Sequence, residues 1–256
     1  MMVELKTPAE LELMREAGKV VAAALAATKQ AAAPGVSLRE LDTIAAEVIA
    51  AKGAKSSFLH YHPHFAPTPF PGVICASVND LVVHGIPNDY QLKEGDLVSI
   101  DCGAHVAGFH GDAAITFFIG EPTEEDARLS EHTREALYAG IAAAKVGNRL
   151  GDVSNAIGKV GRSHGYGLLA GYGGHGVGRK MHEEPHVPNE GKAGRGLKLR
   201  AGLVIAIEPM FIAGGRDTFT TDPDGWGLRS SDRTRAAHWE HTIAVTPDGP
   251  VILTEP

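Results

Sequence analysis

Apolar residues recur at helical spacing in the first part of the chain, between clear start and stop signals. The first run begins at the capping box Thr7–Glu10, which has Pro8 at the first helical position, and ends at Ala31–Gly35. A second run begins in the same way at Ser37–Glu40 and stops at Gly53. These signals predict two consecutive amphipathic helices.

The apolar runs then become short and take on strand character. Residues 58–72 contain four prolines and predict a loop. Val73–Val78 and Leu81–Val83 predict strands, and Gly95–Asp112 predicts a hairpin that turns at Val106–Gly108. The first half of the chain therefore consists of helices followed by strands.

The second half repeats this order, beginning with a helix cap at Thr123–Asp126. Three pairs of segments match: residues 34–53 with 146–165, 95–101 with 202–208, and 110–115 with 238–243. The repeat predicts an α+β fold in which helices cover one face of a largely antiparallel sheet. We expect a single domain, residues 1–256, with halves of about 7–120 and 123–252 whose equivalent strands meet in one sheet.

Composition narrows the function classes. The 256 residues carry a formal charge of −7 without a run of Lys or Arg, which argues against binding to nucleic acid. The two cysteines, Cys75 and Cys102, are too few for a disulfide framework. No stretch resembles a signal peptide or a membrane span, so a cytoplasmic protein is expected.

Acidic residues occupy matching positions in the two halves. Asp101 and Asp112 lie on the two arms of the predicted hairpin, roughly opposite each other, and their flanking residues predict burial. Like charges that face each other across a strand pair repel and destabilise the fold, whereas a cation between them would attract both and make their closeness favourable. The alternative is an acid pair at a solvated hairpin end. Glu208 and Glu240 are the repeat equivalents, so we expect all four carboxylates to converge.

A glycine-rich segment, Tyr172–Pro185, surrounds His175 and His182. So many glycines disfavour a helix and predict irregular backbone, with positive φ or close approach of another segment. The seven-residue step between the histidines also differs from the four-residue step of helical zinc motifs. A phosphate-binding loop is the alternative, but the segment lacks the Lys-Ser/Thr ending of such loops.

Five separated motifs carry a resemblance to a known family. They are SVNDLVVHGIP (77–87), SIDCG with HGD (99–103 and 110–112), YGGHGVGRKMHEEP (172–185), IEPM (207–210) and WEHTIAV (239–245). Their order and spacing resemble those of type I methionine aminopeptidases from about Thr7 to the last predicted strand. The resemblance implies the pita-bread fold, in which two pseudo-symmetric halves share a central sheet.

The resemblance also implies a two-metal peptidase site. Two divalent ions, Co²⁺, Mn²⁺, Fe²⁺ or Zn²⁺, would be held by Asp101, Asp112, His175, Glu208 and Glu240. Four carboxylates and one imidazole suit these ions better than a closed thiolate zinc site would. Glu208 would also take a proton from water, while His84 and His182 would hydrogen-bond the substrate and stabilise the tetrahedral intermediate.

The remaining candidates surround this site. Cys75, Met181 and Trp226 resemble the walls of a methionine side-chain pocket, although an ordinary core is the alternative. The loop Tyr61–Gly72 is longer than the corresponding family segment, so Phe70 is not assigned to that pocket.

The histidines outside the family motifs are expected to have structural roles. His60, His62 and His64 lie among prolines, which favours a loop role over a ligand role. His110 and His238 each come two residues before a predicted ligand, and we expect them to support those ligands.

By this resemblance the chain removes the N-terminal methionine of nascent polypeptides, most readily before a small second residue. It is expected to act as a monomer, and transient contact with the ribosome is left open. One alternative is a proline-directed aminopeptidase P or prolidase, which shares the five ligands. The other is a non-catalytic binding protein of the same fold, which predicts missing ligands, and none is missing.

Overall fold

The computed structural model describes residues 3–64 and 66–256. The predicted helices form where their caps indicate. Thr7 and Ser37 each accept a hydrogen bond from the glutamate three residues later, and both capping boxes are complete. The helices are α1 (Pro8–Ala31), α2 (Leu38–Ala51), α3 (Glu124–Ala143) and α4 (Leu150–Ser163). No helix among the described residues is long and apolar enough to cross a membrane.

The strands lie between and after the two helix pairs. In the first half they are β1 (Lys55–Ser56), β2 (Ile74–Val78), β3 (Leu81–Val83), β4 (Leu97–Val106) and β5 (Phe109–Phe118). In the second half they are β6 (Gly167–Leu168), β7 (Gly173–Gly176), β8 (Glu183–Pro188), β9 (Val204–Ile207), β10 (Met210–Ile212), β11 (Phe219–Thr221), β12 (Leu228–Ser230), β13 (Ala236–His238), β14 (Glu240–Thr246) and β15 (Gly249–Ile252). The α+β class predicted from the repeat is confirmed.

One large sheet joins the two halves. Its strand order is β1-β4-β5-β14-β9-β7-β8, with β2 beside β4 and β15 beside β14, and its pairings are antiparallel. The hairpin β4–β5 and its repeat equivalent, β9 with β14, are neighbours because β5 pairs with β14. The equivalent strands therefore meet in one sheet, as the self-similarity predicts.

The register of the β4–β5 hairpin differs from the expected one. The turn consists of Ala107 and Gly108, which both have positive φ (50° and 83°), as a two-residue type I′ turn requires. Asp101 consequently pairs with Ala114, and Asp112 pairs with Gly103. The two aspartates are therefore diagonal neighbours on one face of the sheet rather than directly opposed.

The helices pack on the other face of the sheet. Ile100 and Cys102 of β4 belong to a buried apolar cluster with residues of α1 and α2, whereas Asp101 between them points away from it. Gly111 of β5 lies directly against Gly18 of α1, so a side chain at Gly111 would force the helix off the sheet, and one at Gly18 would collide with the carbonyl oxygen of Leu253. The helix-covered face is thus apolar, and the opposite face carries the acidic residues.

Candidate metal centre

Five ligand-type side chains come together where five neighbouring strands meet. Asp101 lies on β4, Asp112 on β5 and His175 on β7, while Glu240 begins β14 and Glu208 directly follows β9. All five line one cavity. The convergence of the four carboxylates and His175 expected from the sequence is therefore present in the structure.

The side chains are close enough to share cations. The Nε2 atom of His175 lies 3.5 Å from Asp112 Oδ2 and 3.7 Å from Glu208 Oε1. Asp112, His175 and Glu240 form one group whose ligand atoms lie within 4.8 Å of one another, and Glu240 also belongs to a second such group, with Glu208 and His238. A carboxylate that belongs to both groups can bridge two ions.

Several polar atoms at this site are buried without a hydrogen-bond partner among the described residues. They are Asp101 Oδ1, Asp112 Oδ1, Glu240 Oε1 and His238 Nε2. Buried oxygens of this kind cost free energy unless they are paired, and a divalent cation would pair several at once. The donor set, rich in oxygen with imidazole nitrogen, fits Mn²⁺, Fe²⁺, Co²⁺ or Zn²⁺.

The electrostatics of the acidic cluster also favour a cation. Burial, followed by the charges of neighbouring acids, raises the pKa of Asp101 and Glu240 well above ordinary values. Burial likewise raises the pKa of Asp112, although His175 opposes this. For His175, burial lowers the pKa, but Asp112 and Glu208 outweigh it and the net pKa is raised. Each shift reduces the negative charge of the cluster, as a bound cation also would.

The glycines around His175 permit close packing of backbone. His175 lies on strand β7, and the pairing of this strand with β8 shifts register between His175 and Gly176, so the expected irregularity is present as a local break in the ladder. Gly174 and Gly176 lie against the carbonyl oxygens of Ala206 and Glu184, where a Cβ atom would collide, and neither has positive φ. Close approach therefore explains these glycines.

The orientation of His175 leaves one nitrogen available to the acids. Its Nδ1 lies 2.9 Å from the carbonyl oxygen of Gly176, which can only accept a hydrogen bond. The Nδ1–H group therefore donates to this carbonyl, and Nε2 faces Asp112 and Glu208. This is the usual arrangement of a metal-binding histidine.

Two further histidines line the cavity in neutral form. Burial lowers the pKa of His84 to about 4 and that of His182 to about 3. His84 follows β3 with a φ of +61°, an uncommon left-handed conformation for a residue other than glycine. The ring of His182 lies 4.2 Å from that of His175 and stacks on Tyr61 at 5.1 Å. Near pH 7 each imidazole can both donate and accept one hydrogen bond.

The whole cavity has a volume of about 360 Å³, and its apolar end contains the predicted pocket residues. Cys75, Met181 and Trp226 are buried and line it together. Phe58 and Phe70 belong to the same cluster, and Phe70 packs edge-on against Trp226 at 5.1 Å. Sequence reasoning missed both phenylalanines, because the loop that carries them has no periodicity; its aromatic residues among prolines were the only signal.

The other histidines divide into two kinds. His60 and His64 are exposed and His62 Nε2 contacts the carbonyl oxygen of Ala66, so these loop histidines lie outside the acidic cluster. His110 Nδ1 contacts Ser57 Oγ at 2.8 Å instead of any acid, contrary to its expected supporting role. His238, in contrast, lies beside Glu208 and Glu240.

Glu190 lies on the surface and belongs to an ion-pair network. It accepts two hydrogen bonds from the guanidinium of Arg162. Arg162 also pairs with Asp217. The glutamate therefore belongs to a surface ion-pair network and leaves the acidic cluster unchanged.

Comparison with known proteins agrees with this geometry. The chain is 55% identical to methionine aminopeptidase 1 of Mycobacterium tuberculosis over 97% of this chain and 94% of that protein. The crystal structure of methionine aminopeptidase from Thermotoga maritima superposes with a TM-score of 0.95 at 41% identity, with full coverage of both chains. The expected pita-bread fold is confirmed.

A more distant neighbour shares the fold alone. Prolidase from Pyrococcus furiosus superposes with a TM-score of 0.78 at 24% identity, covering 98% of this chain and 65% of that one. The model of metallopeptidase family M24 matches residues 12–247. This match spans both halves, and the carboxylates and His175 lie together at one cavity. The chain therefore belongs to metallopeptidase family M24.

Proposed function

We propose that the protein is a metal-dependent aminopeptidase that removes the N-terminal methionine of new polypeptides. The observation that carries the proposal is the single cavity in which a cluster of acids adjoins an apolar end walled by sulfur and aromatic side chains. The relatives from Mycobacterium tuberculosis and Thermotoga maritima, which are named methionine aminopeptidases, support this substrate class.

The cluster would hold two divalent ions, Co²⁺, Mn²⁺, Fe²⁺ or Zn²⁺, through Asp101, Asp112, His175, Glu208 and Glu240. The unpaired buried oxygens and the presence of Glu240 in both candidate groups support this assignment. When bound, such ions lower the pKa of a water molecule and polarise a carbonyl group. The chain's own contribution is to fix the positions of the ligands before the ions bind.

The surrounding side chains would handle protons and the substrate. Glu208, like Asp101, is less buried than Asp112 and Glu240, and the resemblance assigns to Glu208 the role of accepting a proton from an attacking water. His84 and His182 are neutral and can donate a hydrogen bond to the scissile carbonyl and its oxyanion.

The apolar end would select the methionine side chain. Sulfur and aromatic groups make favourable contacts with a thioether, and Cys75, Met181, Phe70 and Trp226 supply both kinds. The cavity volume of about 360 Å³ is adequate for one side chain with its backbone. Tyr61 lines the cavity and stacks on His182, where it would limit the room for the second residue, and this supports a preference for a small one.

We further propose that residues 1–256 act as one catalytic domain, in the cytoplasm and as a monomer. Both halves supply strands to one sheet and residues to one cavity. Cys75 and Cys102 are buried free thiols, which suits a reducing compartment. Any contact with the ribosome would be transient and would present the emerging N-terminus to the cavity.

Neither alternative has comparable support. A proline-directed enzyme resembles this chain only at the level of the fold. A non-catalytic binding protein should have lost acidic residues from the cluster, but all are present and converge.

The proposal is tested by hydrolysis of Met-Ala-Ser, Met-Lys-Ser and Ala-Pro-Ala with protein stripped of metal and then titrated with Mn²⁺ or Co²⁺. We expect metal-dependent release of methionine from Met-Ala-Ser, with little cleavage of the other two. Asp101→Ala should abolish the activity, whereas Asp89→Ala, which alters an exposed pair with Arg39, should preserve it. Cleavage of Ala-Pro-Ala would instead identify a proline-directed enzyme, and no turnover would leave the binding-protein alternative.

A further inference from the structure

His238 is a buried imidazole whose Nε2 atom has no hydrogen-bond partner among the described residues. Its exposed fraction is 2%, and Nε2 lies 3.6 Å from Glu208 Oε2 and 3.8 Å from Glu240 Oε2. The five residues assigned by resemblance do not include it. We propose that His238 is a sixth ligand of the metal centre, in one ligand group with Glu208 and Glu240. This inference rests on the proposed function.

The distances resemble those of the histidine already assigned as a ligand. His175 Nε2 lies 3.5 and 3.7 Å from its two carboxylate oxygens, nearly the same values as for His238. Distances of 3.6 Å and more are too long for hydrogen bonds. Two ligand atoms that each lie about 2.1 Å from one ion are separated by roughly 3 to 3.7 Å at ordinary coordination angles. The spacing around His238 is therefore close to that of ligands around an ion.

The backbone of His238 is held firmly by the neighbouring strand. Its N–H group donates to Thr116 Oγ1 at 3.0 Å, and its carbonyl accepts from the same hydroxyl at 2.7 Å. His238 also pairs with Met210 in the β10–β13 ladder. These contacts fix the position from which the imidazole reaches the acids, as a preorganised ligand requires.

His238 also gives the second group the nitrogen that it otherwise lacks. Asp112, His175 and Glu240 form a group with one imidazole, and Glu208, His238 and Glu240 form another of the same composition. With His238 as a ligand, the centre would consist of two groups, each with two carboxylates and one imidazole, that share Glu240. Without it, His175 would be the only nitrogen ligand for both ions.

The test counts imidazole ligands directly. Metal-free protein is loaded with two equivalents of Co²⁺, and X-ray absorption at the cobalt edge gives the average number of imidazoles per ion. We expect an average near one for the unmodified chain and near one half for both His238→Gln and His175→Gln. His241→Gln is the matched control, because His241 is a half-buried neighbour whose Nδ1 contacts Thr254 Oγ1, and this variant should leave the average near one.

Calorimetric titration with Co²⁺ gives a second readout that does not depend on turnover. His238→Gln should weaken binding of one ion by at least tenfold, and His238→Asn should behave in the same way. Circular dichroism of the metal-free variants verifies that they are folded. An unchanged imidazole count and unchanged affinities in both variants would overturn the inference while leaving the metal centre intact. Failure of the unmodified chain to bind Co²⁺ would overturn the proposed function together with the inference.

Discussion

Replacing Asp101 by asparagine should stabilise the metal-free protein and weaken its response to metal. Asp101 belongs to a cluster of acids, and its pKa is raised well above the ordinary value, first by burial and then by the charges of Asp112 and Glu208. Asparagine has nearly the same shape and no charge. The substitution therefore removes repulsion from the metal-free state and removes a ligand from the metal-bound state.

The change in the free energy of unfolding caused by Asp101→Asn depends on pH, and the raised pKa of Asp101 determines its sign. Between the unfolded value of about 3.9 and the higher folded value, native Asp101 holds a proton that the unfolded chain has lost. This contribution to stability is complete at low pH and is lost as the pH rises through the folded pKa. The advantage of Asp101→Asn should therefore be near zero at low pH and should grow as the pH rises.

The magnitude can be bounded from Coulomb's law. Two carboxylates about 5 Å apart repel by roughly 3 kcal/mol at an effective dielectric constant of about 20. Protonation of one partner relieves part of this repulsion, so we expect Asp101→Asn to add about 1 to 3 kcal/mol to the free energy of unfolding near pH 8. With metal, the unmodified chain should become the more stable of the two proteins, because an ion concentration of a hundred times the Kd adds about 2.7 kcal/mol to its free energy of unfolding.

Urea unfolding in the presence of EDTA, repeated from about pH 5 to about pH 8 and then with Mn²⁺, measures each of these quantities. Asp89→Asn is the control, because Asp89 is an exposed acid paired with Arg39 and should show no growing advantage as the pH rises. Two results would refute the reasoning. One is an Asp101→Asn variant less stable than the unmodified chain in EDTA, and the other is a full response of that variant to Mn²⁺.

Three further predictions concern single positions. Gly174→Ala should lower the thermal midpoint and weaken Mn²⁺ binding by roughly 1 to 3 kcal/mol, because its Cβ would collide with the carbonyl oxygen of Ala206; an unchanged titration would contradict this. His84→Asn should keep the thermal midpoint, since asparagine tolerates a φ of +61°, while kcat on Met-Ala-Ser falls about a hundredfold. Burial lowers the pKa of His241 to about 4, so the unfolded chain takes up a proton first as the pH falls below about 6.5. His241→Gln should therefore reduce the acid-induced loss of stability by up to about 3 kcal/mol. Urea unfolding at several pH values measures this loss, and the same dependence of the unfolding free energy on pH in both proteins would exclude this role.

The sequence predicts the sheet well because its two halves resemble each other. The matches of 95–101 with 202–208 and of 110–115 with 238–243 predict neighbouring strands, and β4, β5, β14 and β9 are indeed adjacent. The pairing register of β4 with β5 was harder to predict from the sequence. A turn near Gly108 can contain two or three residues, and only the backbone conformation of Ala107 selects the two-residue turn. This choice determines which residue lies opposite Asp101.

Only some of the cavity residues could be placed from the sequence. Residues in regular strands, such as Asp101 and Asp112, can be placed by alternation and by the repeat. Phe70 cannot, because it lies in a loop without periodicity and reaches the cavity through contacts with Phe58 and Trp226. Close backbone approach at Gly174 is equally invisible, since it depends on the carbonyl of Ala206, which is distant in the chain.

The fold and the acidic cluster depend on each other through strand alternation. In β4, Ile100 and Cys102 pack beneath the helices while Asp101 faces the cavity, and in β5 Ala113 packs on the helix side while Asp112 faces the cavity. A slip of one residue in either strand would turn its aspartate into the apolar core. The burial of a carboxylate there, without any partner, costs more than the pairing of that strand could recover. The same acids that destabilise the metal-free protein therefore also disfavour a shifted strand register. They have this structural role whether or not metal is bound.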